Sequence, residues 1–116
     1  DDNITVNATA VRVPVFYGHA EAVHLETIKE ASIEEVADLL DQAEGVRLIR
    51  ADDGATVPTP STHGAGKDDV FVGRLRHDHS HPRGINLWVV SDNIRKGAAL
   101  NAVQILQALE ERGARG

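Results

Sequence analysis

The sequence predicts an α+β domain built on one mixed sheet with helices on a face. Three observations carry that prediction. Short alternating or apolar runs recur at hairpin-length spacing, two other stretches show helical periodicity with start and stop signals, and 116 residues suffice for one core without disulfides or a structural metal.

Residues 4–17 alternate and then turn apolar, with Val6, Ala8 and Ala10 on one parity and Val11, Val13 and Val15 on the other, which predicts a first strand. Pro14 cannot donate to a ladder, so this strand is expected to bend there. Gly18 permits a turn, and residues 22–28 alternate again as a second strand. Ser32-Ile33-Glu34-Glu35 is a capping box, followed by Val36, Ala37, Leu39, Leu40 and Ala43 at helical spacing, with Gly45 closing the helix.

Val46 to Ile49 reads as a short strand, and residues 51–69, rich in Asp, Gly, Pro, Thr and Ser, as a long loop of the kind that serves a site or an interface. Residues 70–76 and 85–90 read as strands flanking a polar turn at 77–84, hence a hairpin. Ser91-Asp92-Asn93 offers N-cap side chains, and Ala98, Ala102, Ile105, Leu106 and Leu109 repeat with helical period before Gly113.

Composition narrows the function. Eighteen acidic against twelve basic residues give a formal charge of −6, which repels a phosphate backbone, and four aromatics, Phe16, Tyr17, Phe71 and Trp88, make a poor stacking platform for bases. Nucleic acid is therefore not an expected partner. The longest clean apolar run, Leu87-Trp88-Val89-Val90, falls far short of the ~20 residues a spanning helix needs, so no membrane role is expected either. Asp1-Asp2-Asn3-Ile4 has neither a basic nor an apolar leader region and reads as a cut through a longer chain. The absence of cysteine excludes disulfides, Cys-ligated zinc and any thiolate supplied by this chain, and the cytoplasm is the default compartment.

Site chemistry concentrates in Arg12-Val13-Pro14-Val15-Phe16-Tyr17-Gly18-His19. A guanidinium is a fixed positive fork suited to a carboxylate or phosphate, and an imidazole titrating near neutrality suits proton transfer. On one straight strand, seven steps of ~3.3 Å would set the two residues about 23 Å apart on opposite faces. Convergence on one ligand demands a break at Pro14 or Gly18. The alternative is that Arg12 pairs with a surface carboxylate while His19 caps a turn.

A second candidate is Ser91-Asp92-Asn93-Ile94-Arg95-Lys96-Gly97-Ala98-Ala99, where a strand feeds a helix whose first turn is small and basic. Unpaired N–H groups, the dipole and Lys96 favour a phosphate or carboxamide oxygen there, and Gly97, Ala98 and Ala99 permit close approach. Ordinary capping with small residues chosen for packing explains the same spacing. His77, His79 and His81 alternate at ~7 Å, close enough to chelate a divalent ion. They sit in a turn before Pro82 and Gly84 without a rigid supporting shell, so no metal site is expected. His24, beside Glu26, is read as a structural or interface histidine, and His63, in the long loop, is expected to face solvent.

Four ordered blocks then give the chain a resemblance: residues 12–23, from Arg12 to Val23; Gly66-Lys67-Asp68-Asp69-Val70-Phe71-Val72-Gly73-Arg74; residues 84–93, from Gly84 to Asn93; and residues 96–104, from Lys96 to Gln104. Together they closely resemble the C-terminal part of bacterial aspartate-semialdehyde dehydrogenases. N-acetyl-glutamyl-phosphate reductases share something like the Asp92-Asn93 to Lys96-Gly97-Ala98-Ala99 block, but not the Arg12 to His19 block, which decides between the families.

The resemblance implies a glyceraldehyde-3-phosphate-dehydrogenase-like C-terminal domain, with residues 1–90 as the substrate-binding and dimerisation portion. Residues 91–116 would be a C-terminal helix returning to an NADP-binding domain that this chain lacks. It also implies NADPH-dependent reduction of L-aspartyl-4-phosphate to L-aspartate-4-semialdehyde with release of phosphate, at the branch toward lysine, threonine, methionine and diaminopimelate. In that family a cysteine thiolate attacks the acyl phosphate, a thioester accepts hydride, and a histidine moves the protons. By motif position that histidine is His19, and Arg12 matches the arginine holding the substrate carboxylate. Asn93 would approach the nicotinamide carboxamide, with the Lys96-Gly97-Ala98 turn beside the cofactor.

The family's nucleophilic cysteine, positioning glutamine, phosphate-binding basic residues and Gly-rich dinucleotide loop all lie in a portion this chain does not contain, so the chain alone is expected to be inactive. Ala20 also replaces a serine common after the histidine, which puts a local hydrogen bond in doubt. The implied parent is a homodimer or a tetramer of dimers. The competing readings are a non-catalytic paralogue serving as a dimerisation or interaction module, and a metal-binding module on His77, His79 and His81.

Overall fold

Apolar side chains on both parities of residues 84–91 call for cover on both faces, and the strand they form lies inside the sheet. The computed structural model describes residues 2–50 and 57–113. Strand β1 (His19–Glu26), helix α1 (Ile33–Gln42), strands β2 (Val46–Ile49), β3 (Val70–His77) and β4 (Gly84–Ser91), and helix α2 (Leu100–Glu111) follow in chain order. The sheet order is β1-β4-β3-β2. β4 pairs antiparallel with β1 and with β3, whereas β2 joins β3 in parallel, so the sheet is mixed. The hairpin expected across 77–84 is present, and α1 packs against β2 and β3.

Local signals explain the elements that match. In α1, Ser32 Oγ accepts from the Glu35 N–H at 3.1 Å while Glu35 Oε2 accepts from the Ser32 N–H at 2.8 Å, so the capping box closes in both directions. Gly45 takes φ +71° after the helix, a left-handed step that glycine makes without strain, and its carbonyl accepts from Val70 N–H at 2.8 Å to start the β2–β3 pairing. Val90 is fully buried, with Ala37, Val72 and Ile85 also in the core.

Residues 4–17 do not form the expected strand. Alternation gives a segment the capacity to pair, but a strand exists only on a ladder, and both parities here stay in solvent: Val6, Val11, Val13 and Val15 are all exposed and Phe16 is 99 % exposed. The second strand begins at His19 rather than at residue 22 and ends at Glu26, and the Thr27 N–H, donating to the Arg83 carbonyl at 3.2 Å, carries the β4 register one pair further. Within the long loop, residues 51–56 lie outside the described part, while Pro60–Gly64 winds into one wide helical turn capped by Thr59, whose hydroxyl accepts from Thr62 N–H at 3.2 Å.

Two further departures come from backbone geometry. β3 carries a bulge between Gly73 and Arg76, where Arg74 adopts φ +54°, a left-handed conformation that period-two patterning cannot signal. The C-terminal helix starts at Leu100, later than the small, basic turn expected to open it. Lys96 (ψ 134°), Gly97 (φ 72°) and Ala98 (ψ −131°) are non-helical, so they form a link ahead of α2 rather than its first turn.

Candidate functional site

The antiparallel register sets His19, the first residue of β1, opposite Ser91, the last of β4. One end of the sheet therefore gathers an imidazole and the Asp92-Asn93 corner. His19 is 56 % exposed, and its Nε2 stands 3.1 Å from Glu21 Oε1, since residues two apart on a strand share a face. Sequence reading missed Glu21 by starting the strand three residues late; a His-x-Glu at a strand start was the available signal.

A strap made of residues 58–66 lies against this end. Pro58 is fully buried, its carbonyl accepts from Trp88 Nε1–H at 2.9 Å, and its ring fills the space over Gly73, where a Cβ would fall 2.6 Å from Pro58 Cδ. Farther along, Pro60 presses on Gly18, the residue before His19: a Cβ there would sit 2.8 Å from Pro60 Cβ, and the φ of +85° already demands glycine. Gly64 in turn touches Ser91, with 3.1 Å between a would-be Cβ and the Ser91 carbonyl. The strap thus contacts both residues that frame His19. His63, expected in solvent, is half-buried instead, packed edge-on to Phe71 at 5.6 Å between ring centroids, with Nδ1 2.7 Å from the Thr62 hydroxyl.

Asp92 fastens the strap's far end. The residue is 7 % exposed, Oδ2 accepts from Gly66 N–H at 2.8 Å and Oδ1 from Ile94 N–H at 2.9 Å. Its carbonyl accepts from the Arg95 and Lys96 N–H groups at 3.1 and 2.8 Å, closing a single turn. The Gly66 N–H, then that of Ile94, hold the Asp92 carboxyl below the usual carboxylate range against the effect of burial, and Arg95 adds a smaller pull by backbone and charge. Arg95 also pairs with Asp68, so the loop end is tied twice. The sequence marked Asp92 as one of several caps. The Asx turn to Ile94 was legible there, but the Gly66 partner, 26 residues away, was not.

Arg12 lies in the exposed segment before β1. The breaks that convergence with His19 requires are present: the chain bends at Pro14, where Val15 N–H donates to the Val13 carbonyl at 2.9 Å, again at Phe16 and Tyr17, and turns at Gly18.

Asn93, Gly97 and Ala98 are exposed on the corner after β4, and a Cβ on Gly97 would meet no atom within 4 Å. Gly97 N–H donates to Asn101 Oδ1 at 3.1 Å and Lys96 Nζ to Gln104 Oε1 at 2.8 Å. Lys96 lines a cleft of about 320 Å³ with Gly45, Asn101, Gln104, Glu44 and Glu111.

The histidine run lies at the other end of the sheet, about 23 Å along β4 from His19 at ~3.3 Å per residue. His77 ends β3 opposite Ile85, His79 is exposed, and His81 Nδ1 accepts from Arg83 N–H at 3.2 Å. Between them, Asp78 Oδ1 accepts from Ser80 N–H and Oγ–H, both at 2.8 Å, which hold its carboxyl below the usual range. His24 bridges to this turn, with Nδ1 3.2 Å from Asn86 Oδ1 and 3.7 Å from Asp78 Oδ2. Among the described residues no group of three His, Cys, Asp or Glu is arranged to hold a metal ion, and no helix is long and apolar enough to cross a membrane.

Comparison with known proteins gives this geometry a family setting. Residues 1–96 match the family model described as semialdehyde dehydrogenase, dimerisation domain. The chain is 62 % identical over 109 residues to an aspartate-semialdehyde dehydrogenase of Shewanella violacea, covering 94 % of this chain and 32 % of that protein. It is 50 % identical over 113 residues to one of Aquifex aeolicus, covering 97 % and 33 %. The crystal structure of aspartate semialdehyde dehydrogenase II from Vibrio cholerae complexed with ASA superposes with a TM-score of 0.78 at 58 % identity, over 86 % of this chain and 29 % of that one. The chain spans about a third of the length of the relatives it matches.

Proposed function

Because the chain belongs to the semialdehyde dehydrogenase family, as its dimerisation domain, we propose that it is the substrate-side segment of an aspartate-semialdehyde dehydrogenase. The reaction converts L-aspartyl-4-phosphate, NADPH and a proton into L-aspartate-4-semialdehyde, NADP⁺ and phosphate. The observation that carries this reading is the pairing of His19 with Ser91, which sets the proton-transfer candidate beside the Asp92-Asn93 corner within a fold shared with such enzymes.

His19 takes and returns the proton, with Glu21 as its neighbour on the same face of β1. Arg12 holds the substrate carboxylate through a two-pronged, charge-assisted contact. The nucleophile is a thiolate from another part of the parent protein, since this chain has no cysteine. Asn93, Lys96, Gly97 and Ala98 fit an approach by the nicotinamide end of NADP: three of them are exposed, and the space above Gly97 is open. When bound, the reduced nicotinamide supplies the hydride. Residues 1–90 form the substrate-binding and dimerisation part, and residues 91–116 return to the NADP-binding domain, where the exposed apolar side chains of α2 would find cover. The parent works in the cytoplasm as a homodimer or a tetramer of dimers.

The full-length parent, given L-aspartate-4-semialdehyde, phosphate and NADP⁺, should form NADPH only when all three are present. Absence of that signal would convert the reading to its rival, a non-catalytic relative that keeps the domain as a dimerisation module.

A further inference from the structure

We propose that Asp92 is a positioning residue for His19: it latches the strap of residues 58–66 across the end of β1 and β4, and the latched strap fixes the backbone from which His19 projects. The proposal rests on the reading of His19 as the proton-transfer group.

The physical chain has three links. The Asp92 carboxylate, largely shielded from solvent, gives one oxygen to each of two N–H groups, Gly66 on the strap and Ile94 on the corner, so the strap end and the corner cannot separate without breaking a charge-assisted hydrogen bond. The strap is anchored at its other end by the Trp88 indole donating to the Pro58 carbonyl, which leaves the span between held at both ends. On that span Pro60 seats against Gly18 and Gly64 against Ser91, the residue before His19 and the residue opposite it. β1 is an edge strand whose first residue has a ladder partner on one side alone. A neighbour that restricts Gly18 therefore restricts His19. None of these contacts involves the His19 ring, so Asp92 acts through the strap and not on the substrate.

Asp92→Asn in the full-length protein tests this. An amide has one acceptor oxygen, and its NH₂ would face a second N–H, so one tether opens while the shape is kept. Expected is a fall in kcat of about ten-fold with the KM for L-aspartate-4-semialdehyde within about two-fold, as a misplaced proton-transfer group gives. The imidazole NMR signal of His19 should move while that of His79, at the far end of the sheet, stays in place. Gly64→Ala disturbs the same strap from the Ser91 side and should reproduce both effects even if Asp92→Asn does not fold. A variant that loses thermal stability yet keeps wild-type kcat and an unmoved His19 signal would overturn the proposal. If the wild-type parent shows no dehydrogenase activity, the proposed function fails by itself, and the His19 signal alone still decides whether the latch positions the ring.

Discussion

His19 and Asp92 sit two steps apart across one strand pair and differ in solvent: the imidazole is open at 56 % exposure, the Asp92 residue closed at 7 %. An exposed base can meet a substrate; a buried carboxylate serves its own backbone. Side-chain chemistry alone drew attention to His19 and Arg12, and Pro14 and Gly18 announced the bends between them. Asp92 could not be singled out, because its role depends on Gly66, a contact set by the whole fold. Two expectations belong at this scale. Arg12→Ala in the full-length parent should raise the KM for the semialdehyde by about ten-fold or more, the worth of a hydrogen bond to a charged group, and an unchanged KM would remove the anchor role. The second is acid sensitivity: a carboxyl held below its unfolded value stabilises the fold fully above pH ~4 and loses that contribution as pH falls through its folded value. Asp92→Asn should therefore flatten the acid limb of a plot of melting temperature against pH in the 116-residue chain.

Elements whose signals are local were legible. The capping box and closing glycine of α1, the four residues of β2 and the β3–β4 hairpin all follow from side chains within a few positions of one another. Residues 4–17 were not, since alternation states what a segment can pair with and not whether a partner is there. The same limit hid the bulge at Arg74 and the non-helical Lys96–Gly97–Ala98 link, both fixed by backbone angles that periodicity does not encode. Ser32→Ala removes the hydroxyl that accepts from Glu35 N–H and keeps the backbone N–H that donates to Glu35, so it should destabilise the 116-residue chain by about 0.5–2 kcal/mol in chemical denaturation, and no change in midpoint would mean the hydroxyl cap contributes nothing to α1.

On the scale of the molecule, the sheet has open edges at β1 and β2, and its flanks expose apolar side chains. Val103, Ile105, Leu106 and Leu109 of α2 stand exposed, as do the apolar residues of the opening segment. The chain spans about a third of the length of the relatives it matches and contains no thiol. The 116-residue chain alone should give no NADPH from semialdehyde, phosphate and NADP⁺. The proposed function rests on the ring at the start of β1. The most direct test is kcat of His19→Ala in the full-length parent: a fall of about 10²–10⁴-fold with the protein still folded is the predicted result, and a wild-type kcat would contradict it.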